Sequence, residues 1–345
     1  MEVFQDMKKI KKNLKRLKDK FEKKGKSKAK DFAVDDYAKE QDQFVYYRTA
    51  GKKRYAHGTW YRGEHTNFHP MRESLNEPDA IAKYIGHGWF PSEPFITKKH
   101  YITAFGSCFA ANVTKFLFSE GYKVFGKDLS LNSHVVRSGE GIVNSAALLQ
   151  QFEWAYNDTK PQGEIWHHKD GSTAEVTDDI RDLTRGIFSQ TDIFILTLGL
   201  SEVWYDKCNG EVFWRGIPKK LFDSEKHGFR LLSTTENREN LRCVYDIIRA
   251  HRPNSKIILT LSPVPLAATF RPISCITANA VSKASLRVAI DELMRELEND
   301  PGLYYFPSYE LVTAYLENPM EPDMRHPKPE IVAFIMQIFK KYFLC

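Results

Sequence analysis

The strongest constraint on how this chain folds is a pair of short apolar runs, IFILTL over 193–198 and KIILTL over 256–261. Neither run alternates with polar residues, and six residues suit a strand better than a buried helix, so each reads as a strand covered on both faces. Strands of that kind belong to parallel sheets, whose crossovers place helices above and below. The neighbouring sequence supplies those helices. Apolar residues at helical spacing predict helices over 109–120, 146–156, 239–251, 282–298 and 329–343, and further strands are predicted over 100–105, 122–125 and 303–306. The expected fold is α/β, three layers α/β/α around a mainly parallel five-stranded sheet.

Two segments precede this pattern. Residues 1–30 hold 13 Lys and Arg against four acidic residues, a net charge of +9, whereas the rest of the chain holds 37 basic and 40 acidic residues. Within this arm Val3, Met7, Ile10, Leu14, Leu17 and Phe21 form a helical stripe among lysines, and Gly25 ends it. Such an arm suits an anionic membrane surface, a short self-associating coil, or a merely solvated terminal helix. Residues 31–98 are rich in Tyr, His, Gly and Pro without sustained periodicity, and are expected to form an irregular aromatic-rich extension packing on a main domain over 99–345. With the basic excess confined to the arm, nucleic acid is not expected as a partner.

No apolar run approaches the ~18 residues of a spanning helix, and the charged N-terminus lacks the apolar segment of a secretory signal. The five cysteines, Cys108, Cys208, Cys243, Cys275 and Cys345, are scattered without CxxC spacing. That argues against a disulfide framework or a zinc site and for a cytoplasmic protein with no bound metal or cofactor. Most of these cysteines are expected to be small buried hydrophobes.

Ligands of open parallel sheets bind beyond the carboxyl ends of the strands, and three segments place useful groups there. Gly106-Ser107-Cys108 lies between a strand and a helix, where free N–H groups favour a thiolate and stabilise an oxyanion. Asp323 and His326 precede the last helix, and a carboxylate three residues from an imidazole can fix its tautomer within one turn. Gly199 and Ser201 follow the run IFILTL, where a loop can provide a further oxyanion donor.

The segment Gly106-Ser107-Cys108-Phe109-Ala110 resembles the signature of the GSCFA family, a branch of the SGNH (GDSL-like) hydrolase superfamily. The stretches ILTLGLSEVWYD (195–206), GEVFWRGIP (210–218), LSPVP (261–265), SKASL (282–286), YFPSYE (305–310) and DMRHP (323–327) are similar to that family as well. The resemblance spans residues 100–340. It implies an SGNH/flavodoxin-like fold and acyl-ester chemistry. Aligning Gly106 with the glycine of the superfamily's Gly-Asp-Ser motif puts Cys108, rather than Ser107, in the place of the nucleophile. His326 and Asp323 match the Asp-x-x-His block, Ser201 stands where an oxyanion Asn is usual, and Gly139, Gly141 and Asn144 are candidates for the remaining donors.

Polysaccharide-biosynthesis proteins with Gly-x-Cys at this point look similar, and a thioester transfers its acyl group more readily than it hydrolyses. The resemblance therefore implies a bacterial acyltransferase carrying an acyl group, expected to be acetyl, to a carbohydrate hydroxyl or amine of a capsular or surface-polysaccharide precursor. Acyl-CoA is the expected donor, its phosphates meeting basic residues such as Arg137, Arg271 or Lys283, unless these are plain surface charges. Contact with the membrane or a capsule-assembly complex through residues 1–30 would place it at the inner membrane. The alternatives are an SGNH-type carbohydrate esterase and a non-catalytic binding module of an assembly complex.

Overall fold

The computed structural model describes residues 72–345 except Ser107, 127–140 and Lys169, together with 43–49, 52–58 and positions 65, 67, 69 and 70. The basic arm over 1–30 lies outside the described residues. The chain divides into two compact units, residues 1–84 and 85–345.

In the first unit, β1 (Gln43–Thr49) and β2 (Lys52–Gly58) form an antiparallel hairpin in register from Gln43↔Gly58 to Thr49↔Lys52. The sequence predicts no regular structure here, because Tyr46-Tyr47 and Arg54-Tyr55 break any simple alternation of apolar and polar residues.

The second unit is the predicted α/β body. Its elements are β3 (Tyr101–Phe105), α1 (Cys108–Ser119), β4 (Lys123–Val124), α2 (Ser145–Asn157), α3 (Asp178–Gln190), β5 (Ile193–Leu198), β6 (Glu202–Asp206), β7 (His227–Leu231), α4 (Thr234–His251), β8 (Lys256–Leu261), α5 (Cys275–Glu296), β9 (Leu303–Tyr305) and α6 (Pro329–Phe343). The central sheet has the order β4-β3-β5-β8-β9 and is parallel throughout. Every residue of β5 is buried, as its unbroken apolar run requires. One side of the sheet is packed by Phe105, Phe152, Phe188 and Phe194, whose ring centroids lie 4.8–6.2 Å apart. Burying such a ring stabilises the fold by about 1.5–3 kcal/mol.

Residues 85–100 run along α6. The Ile96 N–H donates to Phe343 O, Ile96 bridges Leu344, and Phe90 stacks on Tyr342. Beyond the sheet's carboxyl edge, β6 and β7 form a separate antiparallel hairpin.

The cysteines differ from expectation. Cys108, Cys208, Cys243 and Cys345 are all exposed rather than buried. Cys208 lies in the turn after β6, Cys243 on the outer face of α4, and Cys345 at the chain end, places that no core reaches.

Candidate active site

Gly106 has φ +136°, and a Cβ there would lie 2.7 Å from both Thr197 Cβ and Thr197 O. Only glycine fits so tight an approach in that conformation. The turn brings Cys108, exposed, to the first position of α1, beside N–H groups that have no acceptor within the helix. Ser107 lies outside the described residues. Beneath the turn, the buried Thr197 Oγ1 has no partner among the described residues.

The second piece comes from the connection between β9 and α6. Met324 takes φ +56° and folds the segment back on itself, with the Glu321 N–H donating to His326 O. Asp323 Oδ1 accepts from the backbone N–H groups of Arg325 and His326, and its Oδ2 lies 2.5 Å from His326 Nδ1. The His326 N–H and then the imidazole hold the Asp323 carboxyl well below the usual carboxylate range. His326 Nε2 makes no hydrogen bond among the described residues, and the ring is about half exposed, at 45%.

α1 and α6 are neighbours, tied near their carboxyl ends by Lys340 Nζ to Glu120 Oε2 at 2.5 Å and by Tyr122 OH to Cys345 O at 2.9 Å. No hydrogen bond joins His326 to Cys108 among the described residues, and catalytic contacts commonly tighten only when substrate binds.

The expected oxyanion donors fare differently. The Gly199 and Leu200 N–H groups both donate to Val143 O, at 2.7 and 3.2 Å. The Ser201 N–H donates to Ser282 Oγ, and its hydroxyl donates to Ser282 O while accepting from Asn237 Nδ2. Ser201 is wholly buried. Gly199 and Ser201 therefore join β5 to its neighbours and have no free donor, a correction to the sequence expectation.

Asn144 caps α2, its Oδ1 accepting from the Ala147 N–H at 2.8 Å. That fixes the amide so that Nδ2, unbonded among the described residues, faces elsewhere. Gly141, at φ +80°, lies beside the Arg215 guanidinium. Gly139 is outside the described residues.

Lys283 is also reassigned. It is fully buried in α5, and its Nζ donates to Gly199 O at 2.6 Å and Ser262 O at 2.7 Å, tying the carboxyl ends of β5 and β8 together. Burial pushes its pKa down to about 7. The amine is enclosed and turned onto these two carbonyls, so Lys283 does not meet a phosphate. Arg271 is paired with the buried carboxylate of Glu202 at 3.2 Å, and Arg137 lies outside the described residues. Nothing in the sequence distinguishes a buried lysine from a surface one except its place in a helix otherwise lined by Ala278, Ser282, Leu286 and Ala289. Among the described residues no group of three or more His, Cys, Asp and Glu side chains is placed to hold a metal ion, and no helix is long and apolar enough to cross a membrane.

The model of the GSCFA family matches residues 101–339. No curated protein matches the chain. Among solved structures, the chain is similar to a protein from Streptococcus pneumonia described as a candidate platelet activating factor, at 13% identity over 79% of this chain and 88% of that one, with a TM-score of 0.37. It is similar also to a carbohydrate esterase family 3 protein from Talaromyces cellulolyticus (12% identity, 70% and 95% covered, TM-score 0.34). A third is a family two carbohydrate esterase from Clostridium thermocellum in complex with cellohexaose (9% identity, 73% and 65% covered, TM-score 0.34).

Proposed function

The chain belongs to the GSCFA family, and from the site that the family's signature builds we propose that it is an acyltransferase of SGNH (GDSL-like) type, working through Cys108, His326 and Asp323. One observation carries this reading. His326 is held through Nδ1 by Asp323, its Nε2 makes no hydrogen bond among the described residues, and Cys108 stands exposed at the first position of α1.

The chemistry follows from those groups. His326 Nε2 takes the thiol proton, and the Cys108 sulfur attacks the acyl carbonyl. The oxygen of the tetrahedral intermediate takes up negative charge, stabilised in this reading by the first N–H groups of α1 and by Asn144 Nδ2, which is unbonded among the described residues. The intermediate collapses by expelling the donor's leaving group, which accepts the proton from His326, and leaves an acyl thioester on Cys108. An incoming hydroxyl or amine loses its proton to His326, attacks the thioester, and frees the thiolate, which is reprotonated. Asp323 keeps the ring in the tautomer that both steps need and steadies the imidazolium between them. The donor proposed is acetyl-CoA or another acyl-CoA, and the acceptor a carbohydrate of a surface-polysaccharide precursor, handled in the cytoplasm or against the inner membrane.

The test is to incubate the protein with acetyl-CoA and neutral oligosaccharides, following free CoA thiol, acetate and acetylated sugar. Acetylated sugar that accumulates in step with CoA supports the proposal. Acetate release at the same rate with or without sugar would make the protein an esterase. A chain that neither releases CoA nor becomes acylated would be a binding module.

A further inference from the structure

The hairpin β6–β7 begins three residues beyond Gly199. Glu202 and Trp204 project from one face of β6, and Trp204 pairs directly with Phe229 across the hairpin. The loop that follows β8 lies against that face. The Phe270 ring is 4.8 Å from Trp204 and 5.1 Å from Phe229, and Arg271 Nη1 donates to Glu202 Oε1 at 3.2 Å. Phe222 adds a fourth ring, 5.5 Å from Trp204. Rings packed on one another would ordinarily be core, yet Phe270 is 61% and Phe222 48% exposed.

Sheet order gives this ridge its meaning. The loops after β5 and β8 stand between β3, which leads to Cys108, and β9, which leads to His326. We propose that the ridge is the acceptor subsite and that it takes a sugar ring. The inference rests on the acyl-transfer reading for naming the ligand an acceptor, not for the existence of the site.

The residue chemistry selects the ligand. A pyranose has an apolar face of C–H groups and a rim of hydroxyls. The exposed rings suit the face, and the Glu202–Arg271 pair suits the rim. Glu202 Oε2 is buried without a donor among the described residues, an arrangement that costs free energy, and a sugar hydroxyl admitted beside Arg271 would supply one. A phosphate or nucleotide would need uncompensated positive charge, whereas the charge of Arg271 is matched by Glu202. A long acyl chain would need a closed apolar trough rather than an open ridge beside an ion pair.

The experiment uses the full-length Cys108→Ala chain, which binds without turnover, and a panel of neutral hexose and N-acetylhexosamine oligosaccharides in ligand-observed NMR and calorimetry. Saturable binding of at least one of them, weakened roughly tenfold by Phe270→Ala and by Phe222→Ala in that background, is expected. Both substitutions are at exposed rings, and unchanged thermal unfolding identifies folded variants. The proposal is overturned if no oligosaccharide binds at about 10 mM, beyond the weak end of specific recognition. It is overturned equally if the ring substitutions leave sugar binding intact, or if they weaken instead the binding of acetyl-CoA or of anionic vesicles. Sugar binding that depends on Phe270, in a chain whose native Cys108 never acylates, would remove the acyl-transfer reading and leave the subsite standing.

Discussion

The connections after β5 and after β9 both bring polar side chains to the carboxyl edge of the sheet, and they treat them in opposite ways. After β5, Gly199 and Ser201 are engaged on every donor, and Lys283 reaches in from α5 to bind the Gly199 and Ser262 carbonyls. After β9, Asp323 and His326 stay about half exposed, bonded to each other, and Nε2 makes no hydrogen bond among the described residues. Burial makes the difference. A polar group inside the protein must find its partners there, and once it has them it has nothing left for a substrate. In the proposed reading Gly199, Ser201 and Lys283 thus frame the site, and Asp323 and His326 carry its chemistry.

That contrast can be broken from either side. The largest effect is expected at Asp323→Asn, which spoils the tautomer of His326 and should lower kcat by about 10³–10⁴ with little change in thermal unfolding. Because its carboxyl is held well below the usual range by the His326 N–H and ring, Asp323 remains ionised in the native chain down to about pH 4, near the ordinary carboxylate value. Asp323 titration therefore should not appear in the pH–rate profile above that point. Gly106→Ala puts a methyl group against Thr197 at positive φ and should cost on the order of 3 kcal/mol in denaturant unfolding, with acylation lost alongside. An unstrained, active Gly106→Ala chain would contradict the turn.

Lys283→Met sharpens the comparison through pH. The native amine has a lowered pKa of about 7, against 10.5 for the ordinary side chain. Between those values the unfolded chain holds a proton that the folded chain does not, so native stability climbs with pH across that window and carries the full penalty of a buried charge below it. The substitution removes the climb and leaves two carbonyls unpaired. Its cost should be about 3 kcal/mol near pH 9 and much smaller near pH 6, as thermal unfolding at the two pH values would show. An equal cost at both would mean that Lys283 stays charged. The smallest effect is expected at Ser201→Ala, a loss of about 1–2 kcal/mol in stability with kcat unchanged. A tenfold fall in kcat at unchanged stability would return Ser201 to the oxyanion hole.

The sheet was legible because its strands need no partner to be recognised. The predictions over 193–198 and 256–261 coincide with β5 and β8, and 329–343 with α6. Elsewhere the boundaries moved for identifiable reasons. Apolar spacing predicts a helix from Glu239, but α4 begins at Thr234, where Ser233 and Glu236 close a capping box. α5 begins at Cys275 rather than 282, since its first two turns are mostly small or polar. The helix α3 and the hairpin β6–β7 have no counterpart among the predicted elements. α3 carries Ile180, Leu183, Ile187 and Phe188 at plain helical spacing, so that helix was legible in the sequence and is missing from the predicted elements, whereas long-range pairing rather than alternation holds β6 against β7. Asp323 and His326 were readable because their bond is local. Whether a donor at Gly199, Ser201 or Lys283 is free depends on segments such as Val143 and Ser262, far away in the chain, and local spacing does not record that.

The central claim is that the nucleophile is the sulfur of Cys108. It is tested most directly by treating the full-length chain with acetyl-CoA, and in parallel with p-nitrophenyl acetate, then mapping the acetyl group by peptide mass spectrometry in the native, Cys108→Ala and Ser107→Ala proteins. The account predicts an acetyl thioester on Cys108 that is removed by hydroxylamine at neutral pH, absent from Cys108→Ala and retained in Ser107→Ala. An acetyl group that persists in Cys108→Ala and disappears in Ser107→Ala would contradict it and make the protein a serine enzyme.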